Sequence, residues 1–245
     1  YLRNKDHMQN NWVFSSNIIP VVSSINKHAG INWTNKDLAV SLSSYQRDLR
    51  NLIKINELFT FPNHNSNSTV LLGSGKANGI ELIMRKKVGV VRGWFSYHYN
   101  KTEYNFSNYN DGISFLADHN RLHELKAVAI ARVWDIDITA NWVFSSGGLY
   151  TDINHLYIEP GSGFTISTKG EINEERLPPV HHLDIALSTS WKIKTLFFNF
   201  GLSVYNIYNK INISHKRYNP YTPQLSESDI SMFGITPSMN LKISF

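Results

Sequence analysis

The chain has 245 residues, no cysteine, and 24 Lys and Arg against 19 Asp and Glu, a formal net charge of +5. Without cysteine there is no disulfide scaffold, no thiolate metal site and no thiol nucleophile, and the scattered positive charge lacks the clustered basic face of a nucleic-acid binder. Only 18% of residues are charged, and the 27 Asn and 26 Ser supply most of the polarity.

No window of about 18 apolar residues is present, so no transmembrane helix is expected. The opening Tyr1-Leu-Arg-Asn-Lys lacks an apolar h-region and an initiating Met, so no signal peptide is expected and a processed or truncated chain is.

The dominant pattern is period two, the mark of strands with one apolar and one polar face. Nine strand candidates follow in chain order, near 21–33, 38–54, 78–87, 90–105, 121–133, 135–146, 180–193, 196–213 and 231–245. In the first, Ile25, Ala29, Ile31 and Trp33 alternate with Asn26, His28, Gly30 and Asn32. In the second, Leu38, Val40 and Leu42 alternate with Ala39, Ser41 and Ser43. Farther along, Trp134, Ile136, Ile138, Ala140, Trp142 and Phe144 alternate with Asp135, Asp137, Thr139, Asn141 and Ser145. The clearest case closes the chain: Phe233, Ile235, Pro237, Met239, Leu241, Ile243 and Phe245 take every odd position. Segments 90–105 and 121–133 alternate less cleanly, and no helical stretch competes.

The connections alternate short and long. Short turns are expected near Thr34–Asp37, Lys86–Gly89, Trp134–Asp135 and Lys192–Thr195, and long loops over about 55–77, 106–120, 147–179 and 214–230. All short turns then lie at one end of the strands and all long loops at the other, as in an up-and-down antiparallel meander.

Alternation alone fits a soluble sandwich, where the apolar face meets a second sheet, or a membrane barrel, where it meets lipid. Three features favour lipid. The strands are long, 13 or more residues against about 5–6 in ordinary sheets. Aromatics bracket the apolar face: Phe233 to Phe245 spans roughly 30 Å along a barrel axis and Trp134 to Phe144 roughly 25 Å. The asymmetry of short turns and long loops matches periplasmic turns and extracellular loops. Backbone in lipid must be satisfied internally, so the sheet has to close. Nine is an odd number, however, and the first and last strands would run the same way. Either one strand is unrecognised or the chain is part of a larger barrel, and the missing signal peptide and Met favour the second reading.

Four stretches carry a resemblance to a family. They are Asn35-Lys-Asp-Leu-Ala-Val-Ser-Leu-Ser-Ser-Tyr-Gln-Arg-Asp-Leu-Arg-Asn-Leu-Ile53; Gly75-Lys-Ala-Asn-Gly-Ile-Glu-Leu-Ile-Met-Arg-Lys-Lys87 with Gly93-Trp-Phe-Ser-Tyr97; Leu177-Pro-Pro-Val-His-His-Leu-Asp-Ile-Ala-Leu-Ser188; and Val204-Tyr-Asn-Ile-Tyr-Asn-Lys210 with the terminal Phe245. In this order they resemble the C-terminal barrel half of a TonB-dependent outer-membrane receptor of the kind abundant in Bacteroidetes. The resemblance implies an all-β transmembrane antiparallel barrel in which residues 1–245 supply about nine C-terminal strands of 22. The plug and the first barrel strands would be absent from this chain. It further implies a multi-pass location in the outer membrane and coupling to TonB-ExbB-ExbD through that plug. Insertion by the barrel-assembly machinery, which reads a terminal alternation such as the one ending in Phe245, is implied as well. A surface lipoprotein partner is left open, and no cofactor is implied.

The remaining constellations are weaker. His119 and His123 have a His-x-x-x-His spacing, but on a strand such residues sit about 13 Å apart, too far to share one metal. His181 and His182 point to opposite faces of a strand. Gly73-Ser-Gly-Lys76 resembles a phosphate loop but has Val70 and Ala77 where the motif needs Gly and a hydroxyl. Asp135 and Asp137 read as solvated turn charges, so no catalytic residue is assigned and the chain is not expected to be an enzyme. The loop aromatics are more suggestive: Tyr104, Tyr109 and Asn110 in one loop, Tyr150, His155 and Tyr157 in another, Tyr218 and Tyr221 in a third. Such side chains combine flat surface with hydrogen bonds and suit sugars, peptides or chelates; they also suit the lipid boundary.

The expected function is TonB-dependent import of a scarce nutrient: a siderophore, haem, cobalamin, oligosaccharide or peptide. The alternatives are a receptor-like barrel acting as a structural subunit of a larger outer-membrane complex, and a small standalone barrel, an enzyme among the options, which would require a nucleophile constellation on the lumen or rim that the sequence does not display.

Overall fold

In the computed structural model, residues 2–3, 10–11, 15, 19–55, 70–86, 89–158, 165–219 and 226–245 are described. Nine wall strands form one antiparallel sheet in strict chain order: β1 Ser23–Thr34, β2 Leu38–Ile55, β3 Val70–Lys86, β4 Val91–Phe106, β5 His123–Val133, β6 Ile136–Ser145, β7 Val180–Ile193, β8 Leu196–Tyr205 and β9 Thr236–Ser244. Each pairs only with its sequence neighbours in this path, apart from a two-residue strand, Phe115–Leu116, that returns to pair with β4.

Register carries the apolar face unbroken from strand to strand. Ile31 pairs with Leu42, Leu42 with Leu82, Leu82 with Tyr97, Tyr97 with Leu125, Leu125 with Phe144, and Phe144 with His181. From the other edge, Leu241 pairs with Phe200, Phe200 with Thr189, and Thr189 with Ile136. These side chains all lie on one side of the sheet, because a register of paired residues preserves the face. That face is bare: Met239 is 73% and Leu241 58% exposed.

The apolar band is oblique to the hydrogen-bonded rows. Ile31 is the middle of the apolar run Ala29-Ile31-Trp33, and its row reaches β7 at His181. Leu241 is the middle of the run from Pro237 to Phe245, and its row reaches β7 at Thr189. Between β1 and β9 the band therefore slides along the strands by the distance from His181 to Thr189, roughly 26 Å at about 3.3 Å per residue. The eight steps between strands cover roughly 38 Å at about 4.8 Å each. The ratio gives a tilt of about 35°, within the range of membrane barrels. A band that stays level while the strands tilt is what a bilayer requires of its wall.

Short turns gather at one end. Asn35 organises the first, its Oδ1 accepting from Asp37 N at 2.8 Å and Leu38 N at 2.7 Å. The β5–β6 and β7–β8 connections are two-residue turns whose first residues, Trp134 and Lys194, have φ of 53°. Trp134 is thus a turn residue, 88% exposed, rather than the first rung of the apolar face. Residues 87–88 of the Lys86–Gly89 turn lie outside the described residues.

Several boundaries differ from the sequence expectation. β3 begins at Val70, not near 78, because the Gly73-Ser-Gly run is strand. Cβ atoms on Gly73 and Gly75 would collide with the rings of Phe106 and Tyr104, so these glycines give aromatics of β4 room to lie across β3. β8 stops at Tyr205 rather than near 213, since Asn206 has φ of 52°. β9 begins at Thr236, leaving Phe233 and Ile235 in the preceding coil. The long loops hold hairpins of their own, Ile153–Ile158 with Thr165–Lys169 and Ile213–Asn219 with Ser226–Ser231, and Leu149–Tyr150 pairs with Glu175–Arg176. Residues 56–69 of the first long loop lie outside the described residues. Together the long loops and the strand ends they join form a collar, and most of the buried side chains are there.

Candidate functional site

The inward face and the collar share a set of polar and aromatic clusters. On the inward face of β2 to β5, Tyr45 lies over Gly79, where a Cβ would strike its ring. The Tyr45 hydroxyl donates to Asn100 Oδ1 at 3.0 Å and lies 3.2 Å from His98 Nε2. His98 Nδ1 in turn is 3.7 Å from Glu124. These rows bring an aromatic, an imidazole and a carboxylate together on the inward face.

A second cluster joins β6 to β8. Asp184 accepts from His182 Nδ1 at 2.9 Å, from Asn141 Nδ2 at 3.0 Å and from the backbone N–H of Asn206 at 2.9 Å. His182 packs on Tyr205, with ring centroids 4.6 Å apart. Its neighbour His181 faces the other way and meets the Tyr208 hydroxyl at 2.8 Å, as alternation requires.

The collar is tied by asparagines. Asn206, fully buried, donates to the carbonyls of Lys210 and Phe233 and accepts from Lys210 N–H. Asn209 Oδ1 accepts from Ile235 N, and Asn212 both accepts from and donates to the backbone of His181. Asn120 Oδ1 accepts from Thr102 N at 2.8 Å. Asn173 reaches between loops, donating to the Leu116 carbonyl at 2.8 Å. Short amide side chains can stand in for a neighbouring strand, offering one donor and one acceptor to backbone that has left the sheet. These asparagines are the residues that sequence reasoning missed. The stretch from Val204 to Lys210 held the clue, since two Asn three apart end a strand there.

Of the eight loop residues singled out from sequence, three come together. Tyr104 meets Phe115 edge-on at 6.4 Å and lies 6.1 Å from the His119 ring. Tyr109 packs on Phe106 and Phe115, with Lys54 Nζ 4.6 Å from its ring centroid. Asn110, at φ of 55°, closes the adjoining turn through Ile113 O. This knot is half-buried. Tyr150 is separate and takes Lys216 Nζ 5.1 Å from its centroid, while Lys216 ion-pairs with Glu227. His155 and Tyr157 sit opposite Thr168 and Ile166 in their hairpin, and Tyr218 opposite Glu227 in the next. Tyr221 lies outside the described residues. The two histidines spaced four apart part company: His119 turns to Asp118 and His123 to the Tyr97 hydroxyl at 2.9 Å. Among the described residues no group of three or more His, Asp or Glu is arranged to hold a metal.

A nine-strand meander with an outward apolar band and an inward polar face is the wall of a membrane β-barrel. The family model for the TonB dependent receptor-like β-barrel matches residues 7–209, and the chain belongs to this family. Three solved structures share the fold. They are the FrpB iron transporter from Neisseria meningitidis (14% identity, TM-score 0.58, 90% of this chain and 31% of that one), the ferric citrate transporter FecA in its unliganded form (13%, 0.58, 90% and 31%), and the ferric-catecholate import receptor Fiu from E. coli K12 (13%, 0.53, 97% and 30%). The chain thus spans less than a third of the length of each. No curated protein sequence matches it.

Proposed function

We propose that residues 1–245 are the C-terminal part of the barrel of a TonB-dependent outer-membrane receptor of the Bacteroidetes type, about nine of 22 strands, that imports a scarce nutrient. The observation that carries this reading is the level apolar band across strands tilted by about 35°, which fits a bilayer and no partner sheet. The family membership supports transport, and three structural relatives are named for iron or ferric complexes. Ligand is captured by the loops and by a plug supplied from outside this chain, and TonB-ExbB-ExbD, acting on that plug, releases it inward. Tyr104, Tyr109, Asn110, Tyr150, His155, Tyr157, Tyr218 and Tyr221 supply the flat, hydrogen-bonding surface along the ligand's path. The barrel-assembly machinery inserts the chain, reading a strand alternation such as the one that reaches Phe245, and the collar is the surface open to a lipoprotein partner.

The test is growth of a strain lacking the full-length gene on limiting iron, haem, cobalamin, oligosaccharide or peptide. One nutrient is expected to fail, restored by the intact gene but not in a strain without TonB. Undiminished growth on all of them, with the protein still needed to hold other outer-membrane proteins together, would leave a structural subunit in its place.

A further inference from the structure

Two guanidinium groups converge on a pair of buried glycines in the collar. Gly147 and Gly148 follow β6. Arg176, from the strand pair Leu149–Tyr150 with Glu175–Arg176, donates from Nη1 to the Gly147 carbonyl at 2.8 Å. Arg121, from the loop before β5, lies over the next residue: a Cβ on Gly148 would stand 2.9 Å from its Nη2. Gly147 leaves no room for a side chain either, because the Leu177 carbonyl fills that place. Leu177 N donates to the Gly148 carbonyl at 2.9 Å, which locks the two loops together at this point.

Both arginines are half-buried, and among the described residues neither has a carboxylate within ion-pair distance. Arg121 Nη1 reaches only backbone, the carbonyls of Asp118 at 3.4 Å and Asn120 at 3.3 Å. The Asp118 carboxylate turns to His119 Nδ1 at 3.3 Å. A guanidinium carries five N–H donors, so most of those present here are unspent on acceptors among the described residues. The surroundings are also short of acceptors, since the buried Nδ2 of Asn120 has no partner. Burial lowers the Arg176 pKa, and the positive charge of Arg121 lowers it further. Two like charges held close together in a half-buried site are unfavourable unless something completes them. The planar fork of arginine matches carboxylate and phosphate oxygens.

We infer that Arg121 and Arg176, held against Gly147-Gly148, form a seat for an oxyanion, a carboxylate or phosphate group on the ligand that the receptor captures. The word ligand rests on the transport reading above; the seat adds its chemistry, an anionic molecule rather than a neutral one. Arg121 follows His119 by two residues, and His119 packs on Tyr104, so an aromatic surface adjoins the charge. The headgroup phosphate of a glycolipid in the outer leaflet offers the same oxyanion, and the test separates the two.

The full-length protein in detergent micelles is titrated calorimetrically with citrate and with inorganic phosphate, in parallel with Arg121→Gln, Arg176→Gln and Arg121→Lys. At least one anion is expected to bind, at least 10-fold more weakly in each Gln variant, with Arg121→Lys intermediate because it keeps charge but loses the fork. Retention on vesicles with and without lipid A is expected to be equal in all variants. In the unaltered protein, citrate or phosphate is expected to shield Arg121 and Arg176 from phenylglyoxal, read by mass spectrometry, which decides the matter even if a variant misfolds. Neither anion binding, Gln variants that bind as the parent does, absence of shielding, or a loss confined to lipid A vesicles would each overturn the seat. Nutrient uptake that persists in the Gln variants would sink the seat and leave the transport reading standing.

Discussion

The apolar band and the collar solve the same problem in opposite ways. In the band, the backbone N–H and C=O groups between paired strands are met by the neighbouring strand, and the outward side chains meet only side by side, as where Trp191 and Phe198 stack at 5.5 Å. Met239 and Leu241 stand bare, awaiting acyl chains. In the collar the strands diverge, the backbone loses its neighbours, and side chains take over. Asn120, Asn206 and Asn212 are buried there; Asn206 and Asn212 both donate to and accept from main chain, and Asn120 accepts from Thr102 N. Apolar contacts are local, as where Phe106 and Phe115 stack at 6.2 Å. The difference teaches that stability in such a wall has two currencies, solvation by lipid below and amide hydrogen bonds above.

The largest expected effect tests the collar. Asn206→Ala leaves Lys210 N–H and two carbonyls without partners and places a Cβ-bearing residue of no polar use at positive φ. A loss of about 4 kcal/mol is expected by denaturant unfolding of the full-length protein in micelles. A loss below about 1 kcal/mol would show that water replaces the asparagine freely and that the collar is not amide-bound.

The next tests the band. Leu187 lies on the outward face of β7, near the middle of its apolar run, and Ser188 lies on the inward face opposite Gly201 and Asp137. Leu187→Arg is expected to cost about 3 kcal/mol in vesicle refolding, and Ser188→Arg close to nothing. Equal costs would mean the two faces are not lipid and water. A smaller effect is expected where the inner face is packed. Gly79→Ala should displace the Tyr45 ring and cost about 2 kcal/mol, read in the same refolding equilibrium. The Tyr45 hydroxyl would lose Asn100, visible as a change in tyrosine ultraviolet resonance Raman bands. Smallest of all, Lys194→Gly at the β7–β8 turn should stabilise by about 0.5 kcal/mol, because glycine accepts φ of 53° without the steric cost of a side chain.

The band was legible in the sequence because alternation is all that lipid asks of it. Nine strand candidates became nine wall strands in order, and the short turns fell at one end. Where alternation was interrupted, legibility failed for physical reasons. Gly73 and Gly75 suggest a loop by composition, yet they are strand because Phe106 and Tyr104 need the space. Trp134 continues the even-numbered apolar series of Ile136 to Phe144 but sits in a turn, since only two residues separate β5 from β6. The collar was largely opaque: asparagine reads as loop in any linear pattern, and nothing local shows which amide will be buried. Tyr104 and Tyr109 were brought together by belonging to one loop. Arg121 and Arg176 come from different loops and meet only through Gly147-Gly148, a junction no single stretch displays.

The obliqueness of the band has a consequence for anyone placing probes or charges on this wall. Partners in a hydrogen-bonded row do not lie equally deep. Leu125 belongs to the same row as Ile31, through Leu42, Leu82 and Tyr97, yet lies roughly 11 Å closer to the cell exterior than Ala129 on its own strand. A contour of constant depth runs instead from Ile31 through Ala129 to Leu241, slipping about one residue per strand. Spin labels at those three sites would sense the same stretch of fatty-acid tail, although no hydrogen bond links their rows.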